Sequence, residues 1–376
     1  MSQSPSTETP APDRSPAEAL AHVKASVRAM SAYTLHPYEP RIKLNQNESP
    51  YDVPDEIKRR IAERLADRPW NRYPPFVAQS FIDAVAEATG WPADGILVAN
   101  GSNELIQSIL AVVVAPGVSV VVPEPTFTLY RLMTEVNGGT VVSVPLDAEL
   151  RFDVDAIVRA ANESSAAVVV LCTPNNPTGS ALTREEIERV HNETGALILL
   201  DQAYVEFGGY DGIPLLAGRP RLVVLRTFSK AMALAGLRAG YLLADPALAT
   251  EIEKAKLPYN INFFSEVAAA EVLAGRALLE PQQDAIRSER DRLFREMREI
   301  PGLHVYASAA NFLLFRVDSP RISHTELFRR LLDEHGILVR DVSRYPMLEG
   351  CLRVNAGTPD EDDQFLAALR TTMSEG

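Results

Sequence analysis

The stretch LRTFSKAMALAGLRAGY, residues 225–241, places one lysine, Lys230, in a largely apolar setting. The apolar run LVVLR (222–226) leads into it, and AGYLLA (239–244) overlaps its end. Runs that are apolar throughout are typical of strands covered on both faces of a parallel sheet. Since a free charge is costly in such surroundings, the stretch predicts a buried strand that leads to a chemically reactive amine.

An alternation of β-rich and helical patterns extends from this stretch toward the N-terminus. Five further short runs predict strands: ILVA (96–99), VSVVV (118–122), TVVSV (140–144), AAVVVL (166–171) and ALILL (196–200). Helical patterns are predicted at 55–67, 77–89, 103–114, 127–136, 153–161 and 183–193. The last of them opens with a capping-box pattern, Thr183 followed by Glu186. The whole alternation predicts an α/β fold with a mainly parallel seven-stranded sheet.

The pattern changes after about residue 275, which predicts a second and smaller domain. A long charged helix is predicted at 282–299, with strands at 311–317, 337–340 and 351–355 and helices at 325–334 and from 360 onward. We predict a disordered, Ser- and Pro-rich tail at 1–28 and a large domain at 50–275. Residues 29–49 and 276–376 are expected to form a small α+β domain.

Composition excludes several classes of function. Lys and Arg number 37 against 50 Asp and Glu, and the net charge of −13 disfavours nucleic acid and anionic membranes as partners. The two cysteines, Cys172 and Cys351, form no CxxC pair, and the six histidines show no metal-binding spacing, so we expect no metal site. No apolar run has the length of a membrane span, and the first residues lack a signal-peptide pattern. We therefore expect a cytoplasmic enzyme.

Polar residues follow four of the predicted strands, one strand after another. Gly101-Ser102-Asn103 comes after ILVA, the sequence NNPTG (175–179) after AAVVVL, Asp201 and Tyr204 after ALILL, and TFSK (227–230) after LVVLR. In open α/β sheets, ligands bind beyond the carboxyl ends of the strands. Each motif alone is compatible with a cap or a turn, but together they predict one binding site at this edge.

These motifs together resemble the fold-type I pyridoxal-phosphate-dependent aminotransferases and, within them, the histidinol-phosphate aminotransferase family. The resemblance covers roughly residues 30–370, and the lysine block followed eight residues later by Arg238 is its most specific element. The motifs that carry it are LNQNESPY (44–51), RYPPF (72–76), GSNELI (101–106), PEPTFTLY (123–130), PNNPTG (174–179), DQAYVEF (201–207), the stretch 225–241, ILVRD (337–341) and GCLRVNAGT (350–358).

The resemblance implies pyridoxal 5′-phosphate as cofactor, held by Lys230 as a Schiff base, with the same lysine later transferring a proton. Asp201 would pair with the protonated pyridine nitrogen. Asn176 and Tyr204 would bind the phenolic oxygen of the cofactor, and Phe127 would stack on the ring. A turn or cap role for Asp201 and Asn176, and a core role for Phe127, are the alternatives.

The cofactor phosphate needs a set of donors. The amides of Ser102 and Asn103 open a predicted helix, where unpaired N–H groups and the helix dipole favour an anion. By resemblance, Thr227 and Ser229 would add hydroxyl groups and Arg238 a positive charge. Ser102 and Asn103 alone would be compatible with a simple helix cap.

Substrate anions call for guanidinium groups. The resemblance implies that Arg353 binds the amino acid carboxylate and Arg340 the substrate phosphate. It also places Tyr38 and Tyr73 at the phosphate pocket, with Tyr73 reaching across from the second subunit of a homodimer.

One position departs from the family pattern. The family usually has Asp-Glu after this strand, whereas this chain has Asp201-Gln202. If the alternation of the strand continues, Gln202 faces away from Asp201. We therefore expect the substitution to remove a charge with little effect on chemistry.

The resemblance implies reversible amino transfer between L-histidinol phosphate and 2-oxoglutarate, a step of histidine biosynthesis. Aromatic amino acid aminotransferases acting on phenylalanine share almost all of these motifs and are the main alternative. A related lyase that decarboxylates a phosphorylated amino acid has the same fold. A non-catalytic binding module is a third possibility. The presence of Lys230, Asp201 and Arg353 together argues against it.

Overall fold

The computed structural model describes residues 19–30 and 38–375. The chain divides into two compact units, residues 1–36 and 37–376. In the first unit, Ala25–Arg28 (α1) forms one helical turn with no buried residue. Most of the tail predicted at 1–28 lies outside the described residues, and the division of the rest into a large and a small domain stays a prediction.

A seven-stranded sheet lies at the centre of the second unit, and all seven of its strands were predicted. They are β2 (Ile96–Ala99), β3 (Ser119–Glu124), β4 (Thr140–Pro145), β5 (Val168–Cys172), β6 (Leu197–Asp201), β7 (Leu222–Thr227) and β8 (Gly240–Leu243). The order across the sheet is β2-β8-β7-β6-β5-β3-β4, and only the pairings of β8 are antiparallel. The predicted α/β fold with a mainly parallel sheet is confirmed.

Helices cover both faces of this sheet. They are α2 (Asp55–Ala66), α3 (Gln79–Thr89), α4 (Ser102–Val113), α5 (Leu129–Val136), α6 (Val154–Glu163), α7 (Arg184–Glu193), α8 (Pro246–Glu253) and α9 (Phe263–Ala274). Val121 packs into one hydrophobic cluster, while Val120 and Val122 pack into another on the opposite face. Successive side chains of a strand point to opposite faces, so strands covered on both sides must be apolar throughout.

Local signals set two of the helix ends. The capping box at α7 is present, with the Thr183 hydroxyl accepting from the Glu186 amide and the Glu186 carboxylate accepting from the Thr183 amide. Helix α3 ends at Gly90, whose φ of 71° is a left-handed conformation that glycine adopts without strain. Both ends agree with the sequence prediction.

A second group of strands and helices comes mainly from the C-terminal part. Strands β9 (Leu303–Val305), β10 (Phe312–Val317), β12 (Arg340–Asp341) and β13 (Cys351–Asn355) form an antiparallel sheet in the order β12-β13-β10-β9. Strand β1 (Ile42–Lys43) pairs in parallel with β11 (Ile337–Leu338). The helices of this part are α10 (Glu280–Arg298), α11 (His324–Asp333) and α12 (Pro359–Glu375).

The prediction of a single strand at 337–340 is wrong in one respect, because this segment contains parts of two strands. β11 joins β1, whereas β12 joins β13, and the buried Val339 separates them. The change of partner reflects contacts with residues far away in sequence, which the local pattern cannot indicate.

Candidate active site

The amine of Lys230 lies just beyond the carboxyl end of β7. Its Nζ donates a hydrogen bond to the carbonyl oxygen of Gln46, at 2.8 Å, and lies 5.9 Å from the ring centroid of Tyr204. Removal from water lowers the pKa of Lys230 to about 7, and the positive charge of Arg353 is the next cause. A large share of the amine is therefore neutral and nucleophilic at physiological pH.

Asp201 is the buried end of β6, the strand next to β7. Its carboxylate accepts from the Tyr130 hydroxyl at 2.7 Å and from the amide of Ala203 at 3.1 Å. Burial raises the pKa of Asp201 above the ordinary range, and these two donors oppose that rise. A positively charged ligand atom would favour the ionised carboxylate, which fits a protonated pyridine nitrogen.

Side chains at the ends of β7 and β8 surround the N-terminus of α4. Thr227 Oγ1 donates to Ser229 Oγ at 3.1 Å, and Arg238 Nη1 donates to the same hydroxyl at 3.0 Å. Ser102, the first residue of α4, is buried beside them, while the side chain of Asn103 is exposed. The structure thus brings together the three side chains predicted for the phosphate, beside the helix start whose amides of Ser102 and Asn103 were predicted to join them.

Two glycines allow the chain segments to pack closely at this point. A Cβ added to Gly240 would lie 2.6 Å from the Ser102 amide nitrogen. One added to Gly101, whose φ is 85°, would lie 2.7 Å from Arg238 Nη2. A helix N-terminus, hydroxyl groups and a guanidinium brought together in this way are the donor set that a phosphate requires.

Arg353 lies buried on β13 and bridges several parts of the site. Nη2 donates to the carbonyl oxygen of Asn45 at 2.8 Å, and Nη1 donates to Asn176 Oδ1. The guanidinium carbon lies 5.2 Å from the ring centroid of Phe312. These contacts fix the direction of the guanidinium plane, which is what recognition of a carboxylate by two parallel bonds requires.

Arg340 lies directly opposite Arg353 in the register of β12 and β13. Side chains at paired positions lie on the same face of a sheet, and like charges there are destabilising by themselves. The guanidinium of Arg340, which is partly exposed, makes no hydrogen bond or ion pair with another described residue. The pair therefore provides two neighbouring positive groups for anionic parts of a ligand.

Tyr204 is buried behind Lys230. Its hydroxyl accepts from Asn47 Nδ2 at 3.0 Å, and its ring meets that of Phe312 edge-on at 5.3 Å. Burial raises the pKa of Tyr204 well above the ordinary range, so the phenol keeps its proton. It can therefore donate a hydrogen bond to a ligand oxygen.

The three other predicted aromatic residues each make a ring contact, and that of Phe127 is with a residue of the site. Phe127 is half-buried and meets the ring of Tyr130 edge-on at 5.8 Å. Tyr38 is 43% exposed, with its ring 6.2 Å from that of Phe328. Tyr73 is 83% exposed and stacks on Tyr259 at 4.8 Å.

Gln202 points away from the site, on the opposite side of its strand from Asp201. Its amide nitrogen donates to the carbonyl oxygen of Tyr210, and its amide oxygen accepts from the amide of Gly212 and from Arg226. The residue serves a buried polar network beneath the sheet, in agreement with the orientation predicted from strand alternation.

Sequence reasoning did not single out several residues of the site. Tyr130 and the segment 44–47 lie within motifs quoted above but received no role. A tyrosine three positions after Phe127 and a run of uncharged amides before the first large helix were the available signals. Neither signal names its partner, because the partners Asp201 and Tyr204 are 71 and 157 residues away.

Across 19–30 and 38–375, no helix has the length and apolarity needed to cross a membrane. In the same ranges, no three His, Cys, Asp or Glu side chains are grouped so as to hold a metal ion.

Comparisons with known proteins agree with this arrangement. Residues 39–369 match the sequence model of the family described as aminotransferase class I and II. The histidinol-phosphate aminotransferase of Chlorobium luteolum is 41% identical over 94% of this chain and 98% of its own length. That of Chlorobium phaeobacteroides is 42% identical over 93% of this chain and 96% of its own length. The resemblance inferred from the motifs is confirmed.

Among solved structures, the chain is similar to histidinol-phosphate aminotransferase from Sinorhizobium meliloti in complex with pyridoxal-5′-phosphate. The TM-score is 0.86 and the identity 25%, with 94% of this chain and 98% of that chain covered. This similarity confirms the predicted fold class.

The depressed pKa of Lys230 can be measured on the cofactor-free protein. We expect competitive acetylation of Lys230, quantified by peptide mass spectrometry, to reach half its maximum near pH 7. The neutral amine is the reactive form, so reactivity rises as the pH increases through that value. Arg353→Gln should move the midpoint upward, since it removes a neighbouring positive charge. A wild-type midpoint near the ordinary lysine value of about 10.4 would contradict this reading.

Gly240→Ala tests the phosphate-binding arrangement. The added Cβ would press on the backbone of Gly101 and Ser102, so the amide of Ser102 must shift. We expect the Kd for pyridoxal 5′-phosphate to rise at least about tenfold, as for loss of one hydrogen bond to a charged group. Gly236→Ala is the matched control, because its added Cβ meets nothing within 4 Å. Equal affinities of the two variants, measured by absorbance titration of the cofactor-free proteins, would place the phosphate elsewhere.

Proposed function

This chain belongs to the class I and II aminotransferases and, within them, to the histidinol-phosphate aminotransferases, and we propose that it transfers an amino group reversibly between L-histidinol phosphate and 2-oxoglutarate. The cofactor is pyridoxal 5′-phosphate, and the reaction is a step of histidine biosynthesis. The side chains present fit this cofactor, because the neutral amine of Lys230, the buried carboxylate of Asp201 and the Arg238 anion site match its aldehyde, its ring nitrogen and its phosphate.

The bound cofactor supplies the electron sink that accepts the electron pair left at the substrate Cα. The chain supplies the rest. The amine of Lys230 would hold the cofactor and, once the substrate amine has taken its place, would accept the proton that leaves Cα. The carboxylate of Asp201 favours a protonated ring nitrogen, and the hydroxyl of Tyr204 and the amide of Asn176 donate to the phenolic oxygen. Arg353 orients the substrate by its anionic group.

The observation that carries the substrate assignment is the pairing of Arg340 with Arg353 across β12 and β13. A phosphorylated amine and a dicarboxylic acid are both anions that this positive pair can stabilise. An aromatic amino acid with an uncharged ring leaves Arg340 without an anion to bind. The aromatic alternative is therefore not favoured.

A homodimer with shared sites is also part of this proposal. Trp70, Tyr73, Phe76 and Leu257 are 69%, 83%, 67% and 72% exposed, and Tyr259 stacks on Tyr73. Tyr73 and Phe76 both contact the ring of Tyr259, and exposed apolar side chains grouped in this way are typical of a protein–protein interface. Tyr73, which is largely exposed in its own chain, is suitable for reaching the site of a second copy. We also propose a cytoplasmic location, which the low cysteine content favours.

Single-turnover spectroscopy tests the substrate assignment. The protein loaded with pyridoxal 5′-phosphate should lose its visible absorbance at far lower concentrations of L-histidinol phosphate than of L-phenylalanine. We expect Arg340→Gln to raise the histidinol phosphate concentration required by about 10- to 100-fold, because a charge-assisted contact is lost. Arg321→Gln, an exposed arginine, is the control for overall charge.

Either of two results would contradict that assignment. A preference for L-phenylalanine in the wild type would favour an aromatic aminotransferase. Equal effects of Arg340→Gln and Arg321→Gln would mean that Arg340 does not bind the phosphate.

Mixing two inactive chains tests the shared site. Lys230→Ala and Tyr73→Ala should each be inactive alone, but after subunit exchange a mixed dimer holds one site with both residues. We expect recovery of about a quarter of the wild-type activity, because half of the dimers are mixed and each has one intact site. Lys230→Ala mixed with Asp201→Ala is the control and should recover nothing, since both residues belong to one chain. Absence of recovery despite confirmed exchange would count against Tyr73 acting across the dimer.

A further inference from the structure

A buried contact between Asn47 and Tyr204 has no part in the function described so far. Asn47 Nδ2 donates to the Tyr204 hydroxyl at 3.0 Å, and the two residues are 1% and 5% exposed. Asn47 comes from the segment that follows β1, whereas Tyr204 follows β6 at the edge of the large sheet. The contact therefore links residues 157 positions apart at a group proposed to bind the cofactor.

The backbone of Asn47 is held on both sides by two other buried asparagines. The amide of Asn47 donates to Asn355 Oδ1 at 3.2 Å, and Asn311 Nδ2 donates to the carbonyl oxygen of Asn47 at 3.1 Å. Asn311 and Asn355 are 0% and 3% exposed. The φ of Asn47 is 54°, a conformation that asparagine tolerates better than most residues.

The side chain of Asn47 makes a single hydrogen bond within the described part of the chain. Among the described residues, its Nδ2 bonds to Tyr204, and its Oδ1 has no hydrogen-bond partner. A buried amide whose single bond is to a phenol of the active site adds little to the free energy of unfolding. Its position is better explained by what the bond does to that phenol.

A phenol has one proton to donate and lone pairs with which to accept. Because the Asn47 amide donates to the oxygen of Tyr204, the contact occupies an acceptor position and leaves the proton of Tyr204 for a different acceptor. The phenolic oxygen of the cofactor is the acceptor that the proposed function places there. The bond thus determines the direction in which Tyr204 donates.

We propose that Asn47 is a positioning residue, which acts through Tyr204 by directing its hydroxyl proton to the phenolic oxygen of the cofactor. This inference rests on the proposed function, since it assigns the task of a second residue toward the same cofactor. A donated hydrogen bond stabilises the negative charge of that oxygen and makes the linkage between Lys230 and the cofactor easier to deprotonate. Without this hydrogen bond from Tyr204, the linkage between Lys230 and the cofactor should keep its proton up to a higher pH.

The test is the pH midpoint of the visible absorbance of the protein loaded with pyridoxal 5′-phosphate. Asn47→Asp keeps the shape of the side chain but offers only acceptors, so it draws the Tyr204 proton toward itself. We expect the midpoint to rise by about one pH unit, as for loss of one hydrogen bond to a charged group. Asn47→Gly suits the φ of 54°, removes the amide and should raise the midpoint by less.

Tyr204→Phe separates an effect through Tyr204 from a direct effect of the new charge. In that background Asn47→Asp should shift the midpoint no further, because the group through which it acts is gone. Additive shifts in the double variant would mean that the charge at position 47 acts directly, and the proposal would be wrong. Unchanged midpoints in Asn47→Asp and Asn47→Gly would overturn it equally.

Two outcomes keep this inference distinct from the proposed function. If the wild type acquires no visible absorbance with the cofactor, the proposed function itself fails. If the wild type shows a normal midpoint that the Asn47 variants leave in place, only the role of Asn47 fails. Should Asn47→Asp lose its cooperative thermal transition, Asn47→Gly decides the matter by itself.

Discussion

Burial of the Lys230 amine near the Arg353 guanidinium is the constraint on which the site depends. Burial lowers the pKa of Lys230, and repulsion between the two cations lowers it further. The guanidinium keeps its proton, so the lysine is the group that becomes neutral. The carbonyl oxygens of Gln46 and Asn45 accept one bond from each group and supply the partial negative charge between them. A neutral amine and a charged guanidinium can then occupy one small site.

The same logic explains an anion site in an acidic protein. The net charge of −13 repels anions at long range, so the attraction has to be local. Arg238, beside the start of α4, provides this local attraction at one end of the site. The pair of Arg340 on β12 and Arg353 on β13 provides it at the other end. Arg238 is held by the Ser229 hydroxyl and Arg353 by Asn45 and Asn176, so these two side chains lose little freedom when a ligand binds.

Much of the fold was predictable because it depends on local signals. Apolar runs gave the seven strands of the large sheet, and Thr183 with Glu186 gave the start of α7. The strand predicted at 337–340 failed for a reason that recurs in the site, since its true pairing depends on β1, nearly 300 residues earlier. The hydrogen bonds from Tyr130 to Asp201 and from Asn47 to Tyr204 likewise join segments that are distant in sequence. Sequence patterns indicate that such residues will be buried, but not which group they will meet.

The segment 44–47 also constrains the order in which this enzyme can be completed during synthesis. Its partners Asn311, Arg353 and Asn355 lie 264 and 308 residues later in the chain. At translation rates of about 5–20 residues per second, those partners leave the ribosome on the order of tens of seconds after the segment itself. The seven-stranded sheet can form in that interval, since all its strands precede residue 244. A nascent chain would thus already have its cofactor lysine in place on a folded sheet, while catalytic competence waits for the last seventh of the polypeptide.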